Sequence, residues 1–123
     1  MSKVYGYGRL ALANEENKDR QLRIIDTYCK GIGLKVDKYF FDNGVSGLEL
    51  NRKELNALID ILRGDDIVVV DDIARLSRNM FECMMVINLI ENIGAKLIII
   101  NNNTKWLKET ERWKYSVYVM EWA

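Results

Sequence analysis

The chain of 123 residues is the length of one ordinary domain, and a 49% hydrophobic content is enough for a sizeable core. Its 18 basic and 18 acidic residues cancel, which excludes a blanket electrostatic grip on nucleic acid but leaves local clusters open. No apolar run of about 18 residues occurs, so no membrane-spanning helix is expected, and without histidine or a CxxC pair a zinc site is a poor prospect.

Residues 3–10 alternate and carry Val4, Tyr5 and Tyr7, the pattern of a first strand. Ala11 to Asn17 reads as a polar loop. Leu22, Ile25, Cys29 and Ile32 recur at helical spacing, which predicts an amphipathic helix over 18–32, closed by Gly31 and Gly33. Leu34 to Phe41 is aromatic and β-branched enough for a second strand, and Asp42-Asn43-Gly44-Val45-Ser46-Gly47 is dense in turn formers, as a mobile loop would be. A second helix is expected over 51–63, with Leu55, Leu58, Ile59 and Leu62 inward and Gly64 as its stop.

Ile67-Val68-Val69-Val70 is a short continuous apolar run, the mark of a strand covered on both faces. Asn79-Met80-Phe81-Glu82 resembles a capping box and opens a third helix to Ile93, ended by Gly94. Met80, Met84 and Met85 on that helix fit either plain core or a dimer surface. Leu97 to Ile100 is a further buried strand. The last segment fits two patterns: Trp113, Val117 and Met120 share a helix face, whereas Tyr115, Val117 and Val119 alternate like a strand. Strand–helix alternation of this kind predicts an α/β domain with a mostly parallel sheet and helices on both faces. Cys29 and Cys83 fall in helices and read as buried free thiols, which, with no leader-like organisation after Met1, points to a reducing cytoplasm.

Ligands of open α/β sheets bind beyond the carboxyl ends of the strands. Arg9 lies near the end of the first strand, Arg75 and Arg78 follow the third, and Arg52 reaches the same rim from beyond the glycine loop. Four guanidiniums converging there would make an anion site, since each planar fork holds two phosphate oxygens and stays charged. The start of the helix at Asn79 would add free N–H groups. Such positioning and charge stabilisation supply most of the catalysis in phosphoryl transfer, so no metal or other cofactor is expected. The alternative is that these are ordinary surface arginines paired with Asp71, Asp72 and Glu82. Adjacent Asp71 and Asp72 would also suit Mg²⁺, although paired acids at a strand end are common without metal.

The run Tyr5-Gly6-Tyr7-Gly8-Arg9-Leu10-Ala11 resembles the first strand of the serine recombinases, the resolvase/invertase family, which reads Tyr-x-Arg-x-Ser. Asp19-Arg20-Gln21 is similar to that family's helix start, and Asp42 to Gly47 followed by Asn51-Arg52 resembles its Asp…Ser-Gly…Arg loop. Gly64-Asp65-Asp66-Ile67-Val68-Val69-Val70 and Arg75-Leu76-Ser77-Arg78 resemble its Gly-Asp-hydrophobic strand and Arg-Leu-x-Arg signature. Order and approximate spacing hold over residues 4–100.

The resemblance implies a resolvase-like three-layer fold with strand order 2-1-3-4-5 and a short, antiparallel last strand. Residues 1–103 would be the catalytic core, and 104–123 the start of a truncated helix that dimerises and tracks DNA. It implies recombination of double-stranded DNA through a 5′-phosphoserine link, by a homodimer that becomes a tetramer during strand exchange. Arg9, Arg75 and Arg78 would then bind the scissile phosphate with Arg52 assisting, and Tyr7, Gln21, Asp42 and Ser46 would support them. Read without the resemblance, Tyr7 is core, Gln21 a helix-surface residue, and Asp42 and Ser46 turn formers.

Ala11 occupies the nucleophile position of that pattern, and a methyl group cannot attack phosphorus. Two explanations fit: an engineered knock-out, or a natural degenerate recombinase kept as a DNA- or partner-binding module. Ala74 is a second departure, because many members carry aspartate there. The family's lysine on the second helix also lacks a clear counterpart, the candidate positions being Asp60 and Ile61.

Overall fold

Alternation along the first strand, β1 (Val4–Arg9), sends successive side chains to opposite faces of the sheet, and two helical layers receive them. The computed structural model describes residues 2–10, 15–42, 52–76, 80–100 and 117–119. After β1 come α1 (Glu15–Gly31), β2 (Lys38–Asp42), α2 (Lys53–Ile61), β3 (Ile67–Val70), a 3-10 turn (Ile73–Arg75), α3 (Met80–Ile93), β4 (Lys96–Ile99) and β5 (Val117–Val119).

The sheet order is β2-β1-β3-β4-β5, as expected. Its last strand is not antiparallel: β5 pairs parallel to β4, with Leu97 opposite Val117. The stretch 100–116 exceeds the roughly dozen residues a parallel crossover needs, so chain length permits this direction. At 117–119 the strand reading holds over the helix reading. The remainder of 104–123 lies outside the described residues.

One face of the sheet presents Val4, Val69, Ile98 and Ile100 to Ile25, Tyr28 and Cys29 of α1. The other presents Tyr5, Tyr7, Phe40, Val68, Val70, Leu97 and Ile99 to side chains of α2 and α3, among them Leu55, Leu58, Cys83, Ile87 and Ile90. The all-apolar β3 is explained by this: each of its faces is covered, and burial of each such side chain contributes about 1.5–3 kcal/mol. Cys29 and Cys83 are free, buried and in different layers, on opposite sides of the sheet.

Helix boundaries and faces differ from the sequence pattern in three places. The first helix begins at Glu15, inside the stretch read as loop, because a first helical turn needs no apolar residue to mark it. Its inward face is Gln21, Ile25, Tyr28 and Cys29, while Leu22 is only half-buried and Ile32 lies past the helix end, 45% exposed. A buried glutamine took the place that hydrophobic periodicity assigned to leucine. The second helix stops at Ile61 rather than at Gly64, as Leu62 turns extended to keep its side chain in the core. Both other helix ends use a left-handed glycine, Gly33 (φ 77°) and Gly94 (φ 89°), followed by Leu34 N–H donating to Cys29 C=O and Ala95 N–H to Ile90 C=O.

Gly6 and Gly8 of β1 stand directly opposite Tyr39 and Phe41 of β2. A Cβ on Gly6 would sit 2.6 Å from the Tyr39 ring, and one on Gly8 would sit 2.4 Å from Phe41 and 2.7 Å from Gln21 Oε1. The aromatic rings lie over the glycines, which leaves room for Gln21 to reach the strand backbone.

Candidate active site

The carboxyl end of β1 is built from backbone first. Its ladder with β3 ends at Gly6 opposite Val69, and Leu10 N–H donates to Asp42 C=O on the β2 side. The N–H and C=O of Arg9 point the other way, beyond the reach of that ladder. Gln21 takes both: Arg9 N–H donates to Gln21 Oε1 and Gln21 Nε2 donates to Arg9 C=O, each at 3.3 Å. Its carboxamide therefore acts as one more peptide in the sheet, buried on α1. This is neither a helix-surface residue nor a group aimed at a ligand; it fixes the backbone of Arg9, two residues before position 11.

Asp42 closes β2 and joins three elements. Tyr7 Oη donates to Asp42 Oδ2 at 2.7 Å, while Glu54 N–H and Leu55 N–H donate to its two oxygens at 2.9 and 3.2 Å. These N–H groups belong to the first turn of α2, whose own cap residue, Arg52, makes no side-chain cap bond. Asp42 thus caps α2 from a neighbouring strand. Burial, and then the Asp42 carboxylate, push the Tyr7 phenol well above its ordinary range, with Arg52 partly opposing them. Tyr7 is both core and site: its ring is fully buried and its hydroxyl orients the acid.

Three of the four arginines converge on the 3-10 turn. Arg9 Nη2 donates to Ala74 C=O at 3.2 Å, and Arg52 Nη1 donates to Arg75 C=O at 3.3 Å. Arg75 itself donates from Nε to Asp71 Oδ1 at 2.8 Å and from Nη2 to Asp71 Oδ2 at 3.4 Å. Arg52 Nη2 also lies 3.9 Å from Glu82 Oε2. Arg9 and Arg52 are buried, so "ordinary surface arginine" describes neither, although the pairing of Arg75 with a local acid does occur. Burying a guanidinium is costly without acceptors, and backbone carbonyls of the turn supply them here.

Asp71 and Asp72 do separate work. Asp71 pairs with Arg75, while Asp72 Oδ1 accepts from Ala74 N–H at 2.9 Å and caps the turn. Among the described residues no three acidic, cysteine or histidine side chains gather into a metal-holding group. Ala11, Ser46, Arg78 and the Asn79 cap lie outside the described residues. Sequence reasoning missed the cap that Asp42 supplies to α2 and the carbonyls of Ala74 and Arg75 as acceptors. Neither leaves a local signal, because partner and donor are far apart in the chain.

A match to the family of resolvase N-terminal domains runs over residues 4–119. The chain belongs to that family. A resolvase of Clostridium perfringens is 28% identical over 118 residues, 95% of this chain and 58% of the relative. The transposon Tn21 resolvase of Escherichia coli is 30% identical over 104 residues, 85% of this chain and 50% of the relative. The chain therefore spans little more than half the length of these curated relatives.

Among solved structures, the C-terminal catalytic domain of ISC1926 TnpA, an IS607-like serine recombinase, superposes with a TM-score of 0.68 at 26% identity, over 87% of this chain and 75% of that one. The N-terminal catalytic domain of TP901-1 integrase shares the fold, with a TM-score of 0.71 at 23% identity, over 80% of this chain and 77% of that one. This resolvase domain thus has the fold of serine recombinase catalytic domains. Tyr7, Arg9, Gln21, Asp42, Arg52 and Arg75 come together at the carboxyl ends of β1 and β2 and the turn after β3.

Proposed function

We propose that this resolvase domain is the catalytic domain of a serine site-specific recombinase whose cleavage step is silenced at position 11. The observation that carries the reading is the convergence of Arg9, Arg52 and Arg75 on one turn at the strand ends. Such a cluster suits a DNA phosphodiester, whose charge grows as phosphorus becomes five-coordinate. With serine at position 11, its oxygen would bond to phosphorus, the P–O3′ bond would break, and the proton would pass to the departing 3′-hydroxyl. The bond energy stays in the 5′-phosphoserine, so rejoining needs no external energy source. Arg78 completes the phosphate clamp in this reading. Gln21 and Asp42 act through backbone and helix position, and Ser46 is a further supporting residue in this reading.

Ala11 removes the only atom that the bond-forming step takes from the protein. The chain as written binds the phosphate and stops there. The core of the domain runs past residue 103 in this reading, because the sheet includes β5 (Val117–Val119). A homodimer that becomes a tetramer during strand exchange belongs to the same reading, and an interface on α3 is supported by Phe81, Met85 and Leu89, three exposed apolar residues spaced four apart. A cytoplasmic setting is supported by two buried free thiols.

The test is Ala11→Ser with a DNA duplex carrying the sequence that flanks the gene. An SDS-resistant protein–DNA adduct that forms with the Ala11→Ser variant and not with the unmodified chain supports the reading. A folded, DNA-binding Ala11→Ser protein that forms none counts against it, and leaves a non-catalytic binding module of the same fold.

A further inference from the structure

We propose that Asp71 is a tethered counter-ion for Arg75, which a DNA phosphate must displace before the site fills. The inference rests on the reading above that Arg75 receives phosphate, and it adds a residue that sets the strength of that contact. Arg9 and Arg52 donate to backbone carbonyls of the turn, which are neutral, and Arg52 meets the Glu82 carboxylate only at 3.9 Å. Arg75 donates twice to a carboxylate, at 2.8 and 3.4 Å, along its Nε–Nη2 edge. The Asp71 side chain is 8% exposed and that of Arg75 24% exposed, so water screens the pair only partly.

Asp71 follows directly on β3, which is paired on both sides, so its backbone is held while the arginine sits on the more open turn. Its described hydrogen bonds both go to Arg75, whereas neighbouring Asp72 caps the turn. Among the described residues Asp71 therefore has no capping duty that would explain its burial.

An acid beside a phosphate-binding arginine can orient the fork or compete for it. Charge decides between them. Orientation saves part of one side chain's rotamer entropy, whereas a carboxylate this close cancels most of the attraction that Arg75 offers an incoming anion. When phosphate takes the fork, the displaced carboxylate stays within a few ångströms and repels it. The site is consequently tuned to weak, exchangeable phosphate binding. Asp71→Asn keeps an oxygen for Arg75 Nε–H and removes the charge, which separates the two roles.

The experiment is fluorescence anisotropy of a short labelled DNA duplex against the unmodified chain, Asp71→Asn, Arg75→Ala and the double variant, across a salt series. Asp71→Asn is expected to tighten binding about tenfold at low salt. It should also steepen the dependence of log K on log salt by close to one charge, and both gains should vanish with Arg75→Ala. Equal or weaker binding by Asp71→Asn, with Arg75→Ala still weakening the unmodified chain, overturns the counter-ion role and leaves the phosphate reading standing. Binding indifferent to Arg75→Ala in both backgrounds overturns the phosphate reading itself.

Should Asp71→Asn fail to fold, nitrogen NMR of the unmodified chain decides. Inorganic phosphate is expected to release the Arg75 Nε–H from its pair and speed its exchange with water. An Nε–H that stays paired while phosphate binds overturns displacement.

Discussion

Replacing Asp42 by alanine should unfold this domain more readily than any other single change at the rim. The carboxylate accepts from Tyr7 Oη and from two N–H groups of the first turn of α2, and it is itself 4% exposed. Losing a helix cap costs about 1 kcal/mol. Leaving the buried Tyr7 hydroxyl without its acceptor costs about 1–3 kcal/mol more. Together the loss should be about 3 kcal/mol. With a urea m-value of about 1–3 kcal/mol/M, the midpoint should fall by about 1–3 M at unchanged m. Tyr7→Phe alone removes the donor and leaves the cap, so it should cost about 1 kcal/mol. The double variant should then be less destabilised than the sum by about 1 kcal/mol, since one hydrogen bond is counted twice. Circular dichroism during urea unfolding measures all three. A loss below about 1 kcal/mol for Asp42→Ala, or strict additivity with Tyr7→Phe, would refute the reasoning that this acid ties strand to helix.

Other expectations follow from the same geometry. Gly8→Ala places a methyl against Phe41 and Gln21, so the melting temperature should drop, and Phe41→Ala in the same chain should restore part of it; a neutral Gly8→Ala would contradict the close packing. Burial, then the Asp26 charge, push the Cys29 thiol from 9.0 up to about 11 and the Tyr39 hydroxyl from 10.0 up to about 12. The unfolded chain therefore gives up these protons first, so stability held below pH 9 should be lost progressively up to about pH 12. Urea midpoints taken across that window should show the fall, with Cys29→Ala flattening its lower part, and a level profile would contradict the assigned burial. Phe81 is 81% exposed, so Phe81→Glu should leave the melting temperature within about 1 °C while lowering the apparent mass in sedimentation if α3 joins two copies. An unchanged mass for a parent that dimerises would remove α3 from the interface.

Much of this architecture is legible in the residues, and the exceptions have physical reasons. Ile67 to Val70 and Leu97 to Ile99 read as buried strands because both of their faces are covered. Arg9, Arg52 and Arg75 are legible as a group because strand order brings separate rim positions together. The inward face of α1 is legible at Ile25 and Cys29 but not at Gln21, a polar residue that occupies it in order to serve backbone groups on another element. The cap that Asp42 gives α2 is silent for the same reason: the residue that caps is not beside the helix in sequence. The direction of β5 depends on how the stretch 100–116 travels, which periodicity in a strand of three residues cannot encode.

The most direct test of the central claim is the covalent one. Ala11→Ser, with and without Arg75→Ala, is incubated with radiolabelled DNA bearing the gene's flanking sequence, and the products are resolved under denaturing conditions. The account predicts a protein-linked 5′ end in Ala11→Ser, a loss of about two orders of magnitude or more on adding Arg75→Ala, and none in the unmodified chain. A folded Ala11→Ser protein that binds the same DNA yet leaves every strand intact would contradict it.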